Sequence, residues 1–229
     1  MKIRYGLAVC SAAAASLCVL AEAHAGAFAV RTQSAYAQGS SFAGIAAGGS
    51  LSSMYWNPAT LADVQRTAIE VVASGVLPTS DVKLDPQPLL GFPGSDEGNI
   101  AQAAFIPAGY AARRLNERAV LGIGINVPFG LATEYDNDSV IYQNGIAGKT
   151  EVFALDINPA MAIQATDWLT LALGIRIQYF EARLTRQALG PLGNSTLDGD
   201  GVGFGLTAGI KVTPLPGTEI GVGYRSFVR

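Results

Sequence analysis

Covalent catalysis and zinc chemistry draw on a short list of side chains, chiefly cysteine, histidine and paired carboxylates. This sequence has two cysteines, Cys10 and Cys18, and one histidine, His24. All three lie in the first 25 of its 229 residues. That segment has the build of a leader: Lys2 and Arg4 start it, Leu7 to Ala21 is apolar, and Ala23-His24-Ala25 is a small-x-small cleavage site. The expectation is a Sec-type signal peptide over 1–25, cut before Gly26. Its apolar run is shorter than the roughly 18 residues of a membrane-spanning helix. Leu7-Ala8-Val9-Cys10 comes too early to leave a lipoprotein signal its apolar core. Processing removes both cysteines and the histidine, and with them any thiolate nucleophile, Ser-His-Asp relay, His/Cys zinc site or disulfide. Carboxylates survive, but a pair such as Asp136/Asp138 sits in a polar stretch that reads as a solvated loop. No enzyme, metal site or cofactor is expected.

Binding remains. The run Gly201 to Gly205 resembles a phosphate loop in composition, but it lies within a strand pattern with no helix after it. The residues that could hold an anion are the sparse basic ones, and Arg176, Arg183 and Lys211 lie in or beside alternating segments. Nucleic acid is not an expected partner: with Lys2, Arg4 and Glu22 removed, 13 of 15 basic and 17 of 18 acidic residues remain, a net charge of −4.

The elements that must position these residues announce themselves by period. Charged residues make up 14% of the chain against the usual quarter, and hydrophobic ones 49%, yet nothing after the leader is a long apolar helix. Residues 26–65 are dominated by Gly, Ala and Ser with spaced aromatics (Phe28, Tyr36, Phe42, Tyr55, Trp56) and follow neither helical nor strand periodicity. A free linker would not need those rings, which suit a compact segment buried inside something else. From residue 66 onward the period becomes two. In 168–180, Leu169, Leu171, Leu173, Ile175, Ile177 and Tyr179 share one face, and Thr170, Ala172, Gly174, Arg176 and Gln178 the other. The segments 119–127, 151–165, 200–212 and 219–225 alternate likewise, and 67–77 and 100–113 do so less cleanly. The non-apolar face carries mostly small or uncharged polar residues, which suits a crowded or wet lumen better than an open surface. Strands of about ten residues match a tilted bilayer crossing. The turns at 114–117, 165–167 and 214–217 are short, whereas 78–99, 131–150 and 186–199 are long and polar. This is the asymmetry of an outer-membrane barrel. Pro128 and Gly130 interrupt the alternation of 119–127, as a bulge or kink would, or the end of the strand at its loop. About seven strands leave two edges unpaired in lipid, so the expectation is the N-terminal part of a longer protein.

Two stretches resemble one family. Asn57-Pro58-Ala59 is similar to the NPA motif in the plug of FadL-type transporters, and Pro128 to Tyr135 (PFGLATEY) resembles the segment around that family's third strand. Gly26-Ala27-Phe28 and the Gly201–Arg225 hairpin also fit. The resemblance to the FadL family and its TodX-type relatives implies an all-β fold: a transmembrane antiparallel barrel of about 14 strands, about seven present here, with an N-terminal hatch. It implies outer-membrane transport of long-chain fatty acids or other hydrophobic compounds such as aromatic hydrocarbons, with lateral exit at a kinked third strand. On that reading residues 26–65 are the hatch and 66–229 the N-terminal half of the barrel. Gly26, Ala27 and Phe28 line the ligand pocket, and Asn57, Pro58 and Ala59 lie close to the kink formed by Asn126, Pro128, Phe129 and Gly130. Arg176, Gln178 and Arg183 are candidates for a ligand carboxylate, with lumen solvation or ion pairing as the alternative. Expected partners are the hydrophobic substrate, outer-membrane lipid and the outer-membrane assembly machinery, around a monomer when full length. The rival readings are a non-selective pore or adhesin-like barrel, and an outer-membrane lipid-modifying enzyme, which the lack of histidine disfavours.

Overall fold

The computed structural model describes residues 30–86, 94–187 and 193–229. The predicted signal peptide and Gly26, Ala27 and Phe28 lie outside the described residues. Among the described residues nine strands form: β1 (Thr67–Val76), β2 (Asp81–Leu84), β3 (Ser95–Asn99), β4 (Ala104–Arg114), β5 (Ala119–Glu134), β6 (Lys149–Thr166), β7 (Leu169–Gln187), β8 (Asn194–Leu215) and β9 (Thr218–Arg225). Seven of them make one antiparallel sheet in the order β1-β4-β5-β6-β7-β8-β9, and β2 pairs with β3 as a separate hairpin in the first long connection. Among the described strands, β1 and β9 form the sheet's outer edges.

Alternation decides which face goes in. Along β7, Thr170, Ala172, Gly174, Arg176 and Gln178 are buried, while Leu173 and Ile175 between them are 72% and 54% exposed. β6 repeats this with Ala154, Asp156, Asn158, Ala160 and Ala162 inside. The apolar residues thus face out, and the small and polar ones face in, the reverse of a soluble sandwich and the arrangement of a lipid-facing wall. No helix among the described residues is long and apolar enough to cross a membrane; the crossing elements are strands.

The sheet curls around residues 30–65, which make no strand. They fold as a short helix α1 (Ala35–Gly39, capped by Ser34) and two 3-10 turns, Leu51–Tyr55 and Pro58–Asp63. Met54, Ala59 and Leu61 pack against inward residues of β1, β4, β5, β6 and β7, among them Val72, Tyr110, Val120, Ala160 and Ala172. Small side chains from both partners allow this approach: at Gly223 an added Cβ would strike the Trp56 carbonyl, and at Gly209 the Asn57 amide.

Two connections differ from expectation. The segments 131–150 and 186–199, expected as long polar loops, are partly strand: β5 runs to Glu134, β6 starts at Lys149, β7 ends at Gln187 and β8 starts at Asn194. Polarity there reflects what the side chains meet, and backbone pairing continues regardless. Rows of charge replace rows of apolar contact, as in Glu151–Arg183–Asp198, aligned across β6, β7 and β8. Between β5 and β6 a short helix α2 (Val140–Gln143) fills the connection.

β5 does not end at Pro128. The β4–β5 ladder runs from Arg114/Val120 only as far as Gly109/Ile125, although β4 stays paired to β1 as far as Ala104. On its other side β5 slips register against β6: Asn126 pairs with Asp156, and the next pair is Phe129 with Ala154. One extra residue on β5 therefore makes a bulge, and Phe129 inherits the inward position. The wall has a gap between the upper halves of β4 and β5, in the third strand of the seven.

Candidate functional site

Breaking a ladder leaves backbone groups that must find other partners. In the gap, the carbonyls of Val127 and Pro128 have lost the β4 side of the sheet. The N-terminal segment answers both: Val30 N–H donates to Pro128 O at 2.8 Å, and the Gln33 side-chain amide donates to Val127 O at 2.8 Å. Gln33 is fully buried, and its amide nitrogen also reaches Val30 O at 3.1 Å. Its backbone carbonyl accepts from the Tyr110 hydroxyl at 2.7 Å, and Asn126 donates to both Tyr110 Oη and Gln33 Oε1, at 2.5 and 3.3 Å. Around this polar knot, Val30 packs with Ile106 and Val127, backed by Leu131 and Leu155. A cavity of about 310 Å³ opens at the gap, with Phe105, Val127, Gly130, Leu131, Phe153 and Arg183 in its lining.

Deeper in the lumen, one carboxylate gathers two guanidinium groups. Asp156, fully buried on β6, accepts through Oδ2 from Arg176 Nε at 2.8 Å, from Arg176 Nη2, and from Arg225 Nη2 at 2.9 Å. Arg176 Nη2 also donates to Gln178 Oε1 at 2.9 Å, and its Nη1 to Ser226 O at 2.8 Å. Arg225 lies 4.1 Å above the Tyr55 ring and donates to Tyr55 O, which ties β9 to the N-terminal segment. Asp156 carries one negative charge against two positive ones, so the cluster holds a surplus cation inside the sheet.

Lys211, the other inward base, is held by both oxygens of Asp63 at 2.6 and 2.8 Å and by Glu219 at 3.0 Å, near the short-turn end. It is a structural tie, not a free anion receptor. Arg183 has the outward parity of Leu173 and Ile175, above the apolar band, and its Nε donates to Asp198 at 2.7 Å. It borders the outer mouth of the gap instead of facing the lumen beside Arg176.

The sequence resemblance implies that Asn57-Pro58-Ala59 lies close to the kink; the hydrogen bonds of Asn57 go to other partners. Asn57 spans from Ala46 O (2.7 Å) to Ile210 O (3.0 Å) with its side-chain nitrogen, and its Oδ1 caps the second 3-10 turn by accepting from Ala59 N–H. The Ile210 contact is on β8, three strands along the sheet from the bulge. The motif's geometry suits a cap, because Asn at N-cap followed by Pro at the first turn position is pre-organised. The residues that do meet the kink, Val30 and Gln33, lie in a stretch with no period and no motif, so nothing in their spacing marks them. Asp156, Tyr110 and Arg225 are legible as inward by parity, but which of them converge depends on how the strands register.

At the long-connection end, a second cavity of about 350 Å³ is lined by Ile146, Leu184, Arg186 and Leu197 among others. Leu184 and Leu197 are a register pair on the inward side, so this cavity sits over the lumen mouth.

Comparisons with known proteins agree with this architecture. The profile of the family described as "Outer membrane protein transport protein (OMPP1/FadL/TodX)" matches residues 16–229. The 47 kDa outer membrane protein of Pasteurella multocida is 31% identical over 235 residues, covering 94% of this chain and 53% of that protein. The long-chain fatty acid transport protein of Escherichia coli O6:H1 is 29% identical over 180 residues, 75% of this chain and 39% of that protein. A Pseudomonas aeruginosa FadL homologue of known crystal structure superposes with a TM-score of 0.70 at 19% identity, over 88% of this chain and 53% of the homologue. The chain thus spans about half the length, or less, of these relatives.

Proposed function

We infer that this chain, which belongs to the OMPP1/FadL/TodX family of outer-membrane transport proteins, passes hydrophobic molecules through the outer membrane by a plugged barrel with a side exit. The observation that carries this reading is the gap between β4 and β5, bridged by a non-strand segment and lined outside by Phe105 and Phe153. A water-filled pore has little to offer an apolar solute, whereas an opening in the wall delivers it directly into hydrocarbon. The ligand enters by the cavity at Leu184 and Leu197, descends past residues 30–65 as the hatch, and leaves beside Pro128 and Gly130. Long-chain fatty acids are the favoured class, because the surplus cation of the Arg176–Asp156–Arg225 cluster, flanked by Gln178, gives a carboxylate a reason to enter the lumen. Arg183, at the outer mouth, meets the head on its way out. Aromatic hydrocarbons, which lack that head, would use the same path with weaker hold.

Residues 1–25 serve as the signal peptide, and Gly26, Ala27 and Phe28 join the pocket. Outer-membrane lipid receives the product, the outer-membrane assembly machinery inserts the barrel, and the full-length protein acts as a monomer without enzymatic activity. The test is to straighten β5 with Pro128→Val and Gly130→Val and follow labelled oleate in outer membranes carrying the protein. Uptake should stop while assembly persists; normal uptake by a correctly assembled variant would sink the side exit. Sugar or ion flux that persists without ligand would favour an open pore instead.

A further inference from the structure

We propose that Gln33 is the positioning residue of the exit, a side-chain latch that stands in for the missing β4–β5 ladder and holds the Val30 wedge in the gap. This rests on the side-exit reading above and names what keeps the exit shut. The argument begins with the backbone. Val127 and Pro128 present carbonyls beside the buried apolar cluster of Val30, Ile106 and Val127, where an unanswered group is costly. A paired strand would satisfy them; here a backbone amide takes one and the Gln33 carboxamide the other, at 2.8 Å each. The carboxamide is suited to the task because it donates to Val127 O and accepts from Asn126 Nδ2 at once, while Tyr110 fixes the Gln33 backbone. Val30, locked by that frame, fills the space between Ile106 and Val127.

The latch is local. The rest of the N-terminal segment is anchored elsewhere, by Ser52 to Glu70, Asn57 to Ile210 O, Asp63 to Lys211 and Tyr55 to Arg225. Losing the Gln33 carboxamide therefore loosens the wedge, which keeps its Val30 N–H bond to Pro128 O, and leaves the plug seated.

The experiment uses outer membranes carrying the protein with a reporter cysteine, Val30→Cys, alone and combined with Gln33→Leu. Three readouts are taken: labelling of the cysteine by a membrane-permeant maleimide, uptake of labelled oleate, and flux of a water-soluble sugar. Gln33→Leu should speed labelling about tenfold, the factor one lost buried hydrogen bond carries, raise oleate uptake and leave sugar flux unchanged. A conservative second variant, Gln33→Glu, keeps the length but loses the donor to Val127, and should label as fast as Gln33→Leu. Equal labelling with and without Gln33 overturns the proposal, as does a rise in sugar flux, which would mean that Gln33 seats the whole plug. Faster labelling with unchanged oleate uptake upholds the latch and strikes the side-exit reading instead.

Discussion

Asp156 accepts hydrogen bonds from two guanidinium groups while fully buried, and this sets the cost of losing it. Removing one partner of a buried ion cluster leaves uncompensated charge, typically at about 3–5 kcal/mol, more than the pair itself is worth against apolar replacements. Asp156→Ala should therefore lower resistance to urea in lipid vesicles by that order, with Arg176 and Arg225 left facing each other. The paired substitution Arg183→Ala is a useful contrast. Its guanidinium is half exposed and bonded to a similarly exposed Asp198, so a far smaller loss is expected from the same titration. Both residues are basic-acidic pairs in the sequence; burial alone separates them.

At the scale of elements, the N-terminal segment and the barrel wall approach so closely that glycine is required where they touch. A Cβ at Gly209 would collide with Asn57, and one at Gly223 with the Trp56 carbonyl, backbone that cannot swing away. Gly223→Val should unseat the segment without breaking the β8–β9 ladder, seen as faster proteolysis between residues 40 and 60 and as leakage of small sugars. The long connections form their own unit. Glu97 of the β2–β3 hairpin is held below the ordinary glutamate range by the Ser139 and Ser95 hydroxyls and the Val140 and Ile141 amides at the start of α2. Because its folded value is depressed, this contact is fully formed above the unfolded value and is lost as pH falls through the lower, folded one. The Val140 amide should therefore exchange faster as pH falls through that depressed value, an effect that Glu97→Gln reproduces at neutral pH.

Across the whole molecule, lipid is met by one face of a seven-stranded sheet, and the outward apolar band is what places it in a bilayer. Leu173, 72% exposed near the middle of the apolar run Leu169 to Tyr179, should tolerate no charge: Leu173→Arg should cost about 2–4 kcal/mol in lipid, whereas a substitution at the outward but polar Thr185 should cost little. Urea titration in vesicles of both variants measures the difference. This face was readable in advance, since a period of two needs only neighbouring residues, and Leu169 through Tyr179 state it in eleven positions. The strand extensions beyond the apolar band were not, because past that depth either parity can be polar and the alternation fades although pairing continues. Chain order and residue type by themselves determined the all-β class, the seven wall strands, the inward placing of Arg176, Gln178 and Lys211, and a break at Pro128, because each follows from local geometry or from a missing N–H. Only the tertiary structure decided that Lys211 is spent on Asp63 and Glu219, that Asn57 bonds to Ile210 O on β8, and that the Gln33 carboxamide bonds to Val127 O. Those outcomes depend on contacts between residues up to 153 positions apart, set by strand register and by how the N-terminal segment lies across the curled sheet. No local pattern encodes them.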